Sequence, residues 1–282
     1  MITTRYYRVA RHVIALTADE DIFALIDNCR PFEVAPSEPL IEMKIRPDAT
    51  LPDDWTEEWR QEEGGDEIAC GHVEGNPVFV FLSQGKTAGW LRCSSNYRRV
   101  TVALGDIPKL AIDNGMMISY ALATAGMDTL LFHSSTVTRG GWAYMFLGQS
   151  GTGKSTHSRL WLRYIEGSRL LNDDNPVVRI GEDGMAEVYG SPWSGKTPCY
   201  LNEHYPLGGI VGLAQAPHNK IRRMSPIEAY ATLSSSVSGK RWDRRIADGL
   251  HHSIDTLVAV VGVWHMECLP DEEAAKMTST TI

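Results

Sequence analysis

The eight residues from Gly148 to Ser155 have the composition of a phosphate-binding loop. They read Gly-Gln-Ser-Gly-Thr-Gly-Lys-Ser and fit the pattern G-x-x-x-x-G-K-[ST], with an apolar stretch before them and a helical pattern after them. The three glycines, Gly148, Gly151 and Gly153, let the chain curl so that several backbone N–H groups converge on one anion. The start of the following helix adds partial positive charge. The segment therefore predicts a nucleoside triphosphate site.

Two side chains in this loop have predicted chemical roles. Lys154 would bridge the β- and γ-phosphates, and the Ser155 hydroxyl would be a ligand of Mg²⁺. We therefore expect ATP or GTP as the ligand, bound with Mg²⁺, and the sequence does not distinguish the two bases. The predicted nucleotide contacts come from Gly148, Ser150, Gly151, Thr152, Gly153, Lys154, Ser155 and Thr156.

Two adjacent carboxylates, Asp173 and Asp174, follow the apolar residues Leu170 and Leu171 about one helix and one turn after this loop. Mg²⁺ needs oxygen ligands beyond Ser155, and an attacking hydroxyl needs a base, so the pair could serve both needs. Neighbouring residues of a strand point to opposite faces unless a bulge intervenes. The residues alone therefore leave open which aspartate is the base and which holds the metal. An Asn-Asp-Asp turn exposed to solvent is the structural alternative.

His133 precedes the loop, in Phe-His-Ser-Ser on a predicted strand of the hairpin that leads into it. From there its imidazole could orient one of the aspartates. A single histidine on a strand is also commonly a core or rim residue, and the sequence leaves both interpretations open.

Together these features resemble the catalytic domain of HPr kinase/phosphorylase and the related proteins labelled phosphoenolpyruvate-carboxykinase-related. The resemblance rests on His133, the Gly148–Ser155 loop and Leu-Asn-Asp-Asp from Leu171 onwards, and it extends to Tyr-Gly-Ser-Pro-Trp-Ser-Gly and Glu-Cys-Leu-Pro-Asp-Glu-Glu-Ala further along the chain. It covers residues 130 to 280.

The resemblance implies phosphoryl transfer to a serine or threonine hydroxyl. It places Lys154 and Ser155 on phosphate and Mg²⁺, gives Asp173 and Asp174 the roles of metal contact and base, and puts His133 in a hydrogen bond to the base. Asp173 is counted with Ser155 as a candidate metal ligand. Departures from the family pattern concern two positions. Thr156 stands where HPr kinases carry a glutamate, and their Glu-Ile-Arg-Gly motif is only echoed at residues 187–190.

The elements that must position these residues follow from hydrophobic periodicity. Apolar spacing predicts a helix over residues 107–127, a hairpin formed by residues 130–138 and 142–147, and a helix over 155–165. Residues 169–180 resemble a strand that leads into a glycine-rich turn. Short strands fill the first hundred residues, the first of them from Arg5 to Val13, around an acidic surface excursion at 47–66. We predict an α/β protein with two parts, a small β-rich unit (1–105) and a mixed-sheet P-loop kinase domain of the HPr-kinase/carboxykinase type (106–282).

The composition limits the kinds of partner and the cellular location expected for this protein. The formal net charge of -8 gives no basic field for nucleic acid, so we expect none as a partner. The longest apolar run, residues 257–264, is far too short to span a membrane. Five cysteines without a C-x-x-C pair favour a reducing, cytoplasmic location over disulfides or zinc. The oligomeric state stays open, with a homo-oligomer as one outcome.

The predicted activity is Mg²⁺-dependent transfer of a phosphoryl group from ATP to a serine or threonine hydroxyl. The acceptor is expected to be a protein or peptide held partly by residues 1–105, with a small molecule as the alternative acceptor. Two other functions stay open: chemistry of the phosphoenolpyruvate carboxykinase type, and a nucleotide-dependent regulatory module that transfers nothing. The basic run 240–245 and Lys196 are further candidates for a phosphoryl or carboxylate clamp, against ordinary surface positions.

A nucleotide triphosphate with Mg²⁺ is predicted to stabilise the folded chain. A ligand bound only by the folded state, at ~100 times its dissociation constant, adds ~2.7 kcal/mol to the free energy of unfolding. Thermal unfolding with and without ATP–Mg²⁺ measures this, and Lys154→Ala should abolish the shift without unfolding the protein. An unchanged melting temperature at millimolar ATP would contradict the prediction.

Overall fold

The chain folds as an α/β protein with two mixed sheets. The computed structural model describes residues 1–47, 50–51, 54–195 and 197–282. By their internal contacts these residues divide into two compact units, Met1–Ala123 and Thr124–Ile282. The helix predicted to open the second unit thus groups with the first.

The first unit is a nine-stranded sheet with helical segments. Its strands lie in the order β3-β1-β2-β4-β9-β8-β7-β6-β5. They are β1 (Ile2–Val9), β2 (His12–Asp19), β3 (Glu33–Val34), β4 (Ile41–Arg46), β5 (Thr56–Glu63), β6 (Asp66–Val73), β7 (Asn76–Ser83), β8 (Lys86–Cys93) and β9 (Arg99–Leu104). A 3-10 helical segment, Glu20–Phe32, and helix α1 (Pro108–Thr124) complete the unit. The Tyr120 hydroxyl of α1 donates to the Val9 carbonyl at 3.2 Å, which fastens the helix to the sheet.

Two sequence interpretations in this unit are wrong. A single strand was expected from Arg5 to Val13, but the chain turns at Ala10 and Arg11, whose φ angles are 44° and 74°. This turn carries neither glycine nor asparagine, so its sequence gives no signal. The acidic stretch 47–66 is also more than a surface excursion, since it contains the edge strand β5, although residues 48–49 and 52–53 lie outside the described part. Charged side chains on both faces of β5 hide the alternation that marks a strand.

The second unit holds the residues singled out above. Its elements are β10 (Thr129–Leu131), β11 (Ser134–Arg139), β12 (Trp142–Leu147), α2 (Lys154–Tyr164), β13 (Arg169–Asp174), β14 (Val177–Ile180), β15 (Ala186–Tyr189), β16 (His204–Gln215), β17 (Lys220–Arg223), α3 (Pro226–Ser236), α4 (Arg244–Val260), β18 (Val263–Cys268) and α5 (Glu272–Thr281). The main strand order is β10-β14-β15-β16-β12-β11-β13, and β18 pairs with β16 and β17. No helix among the described residues is long and apolar enough to cross a membrane.

Helices cover both faces of this second sheet. Val211 and Leu213 of β16 share a buried apolar cluster with Trp161 of α2 and Ala274 of α5. Gly212, between them, faces the other side, where a Cβ would lie 3.1 Å from the Thr232 methyl group of α3. Because side chains alternate along a strand, α2 and α5 cover one face and α3 the other.

Two predicted strands are each broken in the structure. Residues 130–138 form β10 and β11, interrupted at Phe132 and His133, so His133 lies between two strands rather than on the hairpin strand. The His133 amide donates to the Ser236 carbonyl at 2.7 Å instead of to a neighbouring strand. Residues 169–180 likewise form β13 and β14, interrupted at Asn175 and Pro176. Proline has no amide N–H to donate, which explains the second break.

Helices α2 and α5 are joined through one buried hydroxyl. The Thr278 Oγ1 lies 2.8 Å from Trp161 Nε1 and 3.0 Å from His157 Nε2, and 3.1 Å from the Ala274 carbonyl. The Thr278 oxygen accepts from the Trp161 N–H, and its single proton goes to a helix carbonyl or to His157 Nε2 according to the imidazole tautomer. Burial disfavours the charged imidazole and lowers the pKa of His157 to about 4. His157 is therefore a neutral structural residue at pH 7.

Replacing Thr278 with valine is predicted to destabilise the protein by about 2 to 6 kcal/mol. The change keeps the shape but leaves two buried groups, the Trp161 N–H and the His157 ring nitrogen, without a hydrogen-bond partner, and each loss costs ~1–3 kcal/mol. Chemical denaturation measures the loss. Thr280→Val is the matched control, because Thr280 is exposed on the same helix and its hydroxyl bonds only to carbonyls of its own helix. Equal, small losses in both variants would show that the shared hydroxyl contributes little.

Candidate active site

The candidate site lies at one edge of the second sheet. Strands β16 and β18 run parallel to β12. Strand β13 also runs parallel to β12, because both are antiparallel to β11, which lies between them. The carboxyl ends of these four strands meet at the same edge, which is where ligands bind in open α/β sheets. The loop 148–155 follows β12 there, and the aspartate pair ends β13.

The loop has the backbone conformation that its glycines predict. Gly148, Gly151 and Gly153 all have positive φ, at 153°, 78° and 111°. A Cβ on Gly148 would also lie 3.1 Å from the Thr152 side chain, so only glycine fits there. Helix α2 begins at Lys154 immediately after the curl. The loop therefore presents the start of a helix at its open side, as an anion site requires.

Lys154 lies within the curve of this loop. Its ammonium group donates to the Gly148 carbonyl at 2.9 Å and approaches the Gln149 carbonyl at 3.4 Å. The side chain is only 9% exposed. A largely buried cation held over a ring of backbone groups fits the binding of a triphosphate, whose oxygens could replace these carbonyls as its partners.

Asp173 faces helix α2. Its Oδ1 accepts a hydrogen bond of 2.7 Å from the Ser135 hydroxyl, which lies 2.6 Å from the Ser158 hydroxyl of α2. Asp173 is 4% exposed. Ser155 lies one turn before Ser158 on the same face of α2, so Asp173 and the predicted metal-binding hydroxyl share this side of the sheet.

The donor set fits Mg²⁺ bound together with a nucleotide. No group of three or more His, Cys, Asp or Glu that could hold a metal occurs among the described residues. Mg²⁺ does not require one, because it keeps several waters and binds through one or two protein oxygens plus phosphate oxygens. Ser155 and Asp173 are the residues that would hold it.

Asp174 has a different partner from Asp173. Its Oδ1 lies 3.4 Å from His133 Nε2, and its Oδ2 accepts from the Asn175 amide at 2.7 Å. The His133 side chain is 42% exposed. Thus the break between β10 and β11 brings His133 to Asp174, and solvent reaches the pair. Such an aspartate can accept a proton from a hydroxyl while the imidazole fixes its orientation.

A buried amide holds the end of β13 in place. Asn172 is fully buried, and its Oδ1 accepts from the backbone amides of Asp174 and Asn175 at 3.1 and 2.8 Å. Its Nδ2 donates to the Trp193 carbonyl at 3.1 Å and to the Ser191 hydroxyl at 3.2 Å. One side chain therefore links the aspartates to the loop 190–195.

That loop packs directly on the aspartate pair at Gly195. The Gly195 amide donates to the Asp173 carbonyl at 2.8 Å. A Cβ at this position would lie 2.9 Å from that carbonyl oxygen and 3.3 Å from Asp174 Cβ. Trp193, only 4% exposed, anchors the loop. Lys196 lies outside the described residues.

The basic run 240–245 begins close to His133 in space. Backbone hydrogen bonds join His133 to Ser236 and Ser238 to Leu131, so the segment after α3 runs beside the break between β10 and β11. Arg241 donates to the Val237 carbonyl at 2.8 Å and thereby fastens this segment. Arg244 and Arg245, whose side chains are 92% and 67% exposed, lie 3.6 Å from Asp248 and 3.5 Å from Asp243.

The structure thus gathers the predicted residues at one edge and adds others. The loop 148–155, the two aspartates and His133 all belong to it. Sequence reasoning gave no role to Ser135, Ser158 and Gln215, and it quoted Asn172 without assigning one. Only Ser158 had a signal, its helical spacing of three from Ser155. The contacts of the other three depend on neighbouring strands.

Comparisons with known proteins assign no family to this chain. No protein-family model matches the chain, and no curated protein matches it in sequence. Among solved structures it is similar to the HPr(Ser) kinase/phosphatase from Coxiella burnetii, with a TM-score of 0.31 and 11% identity over 53% of this chain and 91% of that one. A likeness this weak says nothing about chemistry, which has to come from the residues of the site.

Gly195→Ala is predicted to lower the free energy of unfolding by about 1 to 3 kcal/mol. The added methyl group would press on the Asp173 carbonyl and on Asp174, and overpacking of this kind costs that amount. Gly126→Ala is the control, since a Cβ there meets nothing within 4 Å and its φ is not positive. Chemical denaturation of both variants measures the difference. A loss no larger at Gly195 than at Gly126 would contradict the close approach.

Proposed function

We propose that this protein is a Mg²⁺-dependent kinase that transfers the γ-phosphoryl group of ATP to a serine or threonine hydroxyl. The observation that carries the proposal is the separation of the two aspartates at the edge where the glycine-rich loop ends. Asp173 turns to the serines beside α2, and Asp174 pairs with His133. One carboxylate is thereby assigned to the metal and the other to the acceptor.

Each residue of the site has a proposed role in phosphoryl transfer. The backbone of the loop 148–155 and Lys154 would bind the phosphates, and Ser155 and Asp173 would hold the metal. Mg²⁺, when bound, neutralises charge on the phosphate oxygens. Asp174 accepts the proton of the acceptor hydroxyl as its oxygen attacks the γ-phosphorus and the bond to the ADP oxygen breaks. His133 orients Asp174 and stabilises its charged form.

The acceptor proposed is a protein or peptide, with a small molecule as the alternative. The open side of the pair formed by His133 and Asp174 favours a large acceptor, because both side chains are partly exposed and the cationic segment 240–245 begins beside them. The first unit could contribute to acceptor binding. Its edge strand β5 carries several glutamates, so a basic peptide would suit it better than a neutral one.

Incubation with radiolabelled ATP, Mg²⁺ and serine-bearing peptides tests the function. A phosphorylated hydroxyl supports the proposal. Phosphoenolpyruvate formed from oxaloacetate would instead support carboxykinase chemistry, and bound but unreacted nucleotide would support a regulatory module. Peptides of varied charge, drawn from products of neighbouring genes, are the most informative set.

Replacing the two aspartates is predicted to change two different quantities, turnover for Asp174 and Mg²⁺-dependent nucleotide binding for Asp173. Asp174→Asn should leave ATP–Mg²⁺ binding intact but lower turnover by about 10²- to 10⁴-fold, the usual effect of losing a general base. Asp173→Asn should weaken binding in Mg²⁺ by about tenfold or more and leave Mg²⁺-free binding unchanged. Isothermal titration and single-turnover assays separate these effects.

Asp255→Asn is the control for both variants, because Asp255 is an exposed carboxylate on α4. It should match the wild type in binding and in turnover. The role assignment is rejected if Asp173→Asn and Asp174→Asn change the same quantity by similar amounts, and the site itself is rejected if neither changes anything.

A further inference from the structure

A cleft with a volume of about 660 Å³ adjoins the glycine-rich loop. It is a different part of the site from the aspartate pair. Its walls come from the loop itself, from α2, from the ends of β16 and β18, and from the segment before α5. The lining residues that matter below are Thr156, Leu160, Leu213, Gln215, Cys268 and Leu269.

Strand order puts the cleft and the carboxylates on opposite sides of the loop. The loop follows β12, which has β16 on one side and β11 on the other. The cleft lies on the side of β16 and β18. Asp173 lies on the other side, beyond β11, where Ser135 pairs with both Phe146 of β12 and Asp173. Two strand spacings, ~10 Å, therefore separate β12 from the aspartate strand.

Helix α2 divides its faces in the same way. Ser155 and Ser158, three residues apart, share the face that turns towards Asp173. Thr156 and Leu160, four residues apart, share the face that lines the cleft. A triphosphate lying across the helix start can therefore direct its γ-phosphate towards the aspartates and its nucleoside towards the cleft.

The walls of the cleft suit a flat aromatic group. Leu160, Leu213 and Leu269 supply apolar surface, and the Gln215 amide donates to the Gly151 carbonyl at 3.1 Å, so the end of β16 is tied to the loop. The wall before α5 is also fixed, because the Leu269 amide donates to Asn219 Oδ1 at 2.9 Å. A preformed apolar pocket with few polar groups is typical of small-molecule sites.

We propose that this cleft binds the nucleobase of the nucleoside triphosphate, an inference that rests on the proposed function. The cleft is continuous with the phosphate-binding loop, because Gly151 and Gly153 line both. A nucleotide whose phosphates lie in the loop would therefore place its base in the cleft. The base stacks between the leucine side chains, and its edge meets the end of β16 near Gln215. The cleft thus determines how much tighter a nucleotide binds than its phosphate chain alone.

The test compares ATP with inorganic tripolyphosphate, both with Mg²⁺, by isothermal titration on the full chain. Tripolyphosphate occupies the loop but has no base. Leu269→Ala should weaken ATP binding by about five- to twentyfold, because it removes part of the apolar surface that the bound base would cover. Binding of tripolyphosphate should change less than ~2-fold. Leu162→Ala is the matched control, since Leu162 is 40% exposed, Leu269 is 38% exposed, and Leu162 lies on α2 outside the cleft.

Cysteine protection gives a second measurement that needs no variant. Cys268 is half-buried, lines the cleft, and has a pKa raised by burial, so a neutral thiol reagent at alkaline pH is the probe. ATP should slow its modification, read by peptide mass mapping, while tripolyphosphate at saturation should not. Cys199, which lies outside the cleft, is the internal control.

The possible results distinguish failure of the proposed function from failure of the base site alone. Failure of both ligands to bind the wild type would overturn the proposed function and this inference with it. Binding of tripolyphosphate as tightly as ATP, equal losses of both ligands in Leu269→Ala, or equal protection of Cys268 by both would overturn the base site alone. So would a peptide that protects Cys268 where ATP does not.

Discussion

The site depends on the alternation of side chains along a strand. Two carboxylates in succession at the end of β13 would repel each other if they shared a face. Alternation sends them to different faces instead. Asp173 reaches Ser135 and the side of α2, and Asp174 reaches His133. The two neighbouring carboxylates therefore face different partners, which is the separation of roles that the proposed function requires.

Close approach of backbones makes this arrangement rigid. The loop 190–195 passes over β13 at Gly195, where the Asp173 carbonyl accepts its amide. Gly190 allows a second approach, since a Cβ there would lie 2.0 Å from the Leu201 carbonyl oxygen. Between these points Asn172 satisfies backbone and side-chain groups on both segments. A buried amide with all its partners in place fixes the aspartates more firmly than apolar packing alone could, because each of its bonds is directional.

Some helices and strands can be predicted from the sequence and others cannot, for identifiable reasons. The helix after the glycine-rich loop was anticipated within a residue or two, because three glycines and a lysine mark its start. The strands around His133 and around Asn175 are predicted as continuous, because apolar residues lie on both sides of each break. What interrupts them is pairing with Ser236 in one case and Pro176 in the other. The edge strand β5 is not predicted from the sequence, because it carries charged residues on both faces. Such charges are common on exposed edge strands, and they remove the apolar–polar alternation that marks a core strand.

The sequence by itself determined the local chemistry: a loop that curls only with glycine, a lysine and a hydroxyl at the start of a helix, and two adjacent carboxylates at the end of a strand. These depend on backbone conformation and residue type over a few positions, which a sequence states directly. The tertiary structure alone decided which aspartate meets His133, which face of α2 lines the cleft, and that Gln215 reaches the loop from β16. Those facts depend on strand order and register, which are set by packing between residues far apart in the chain.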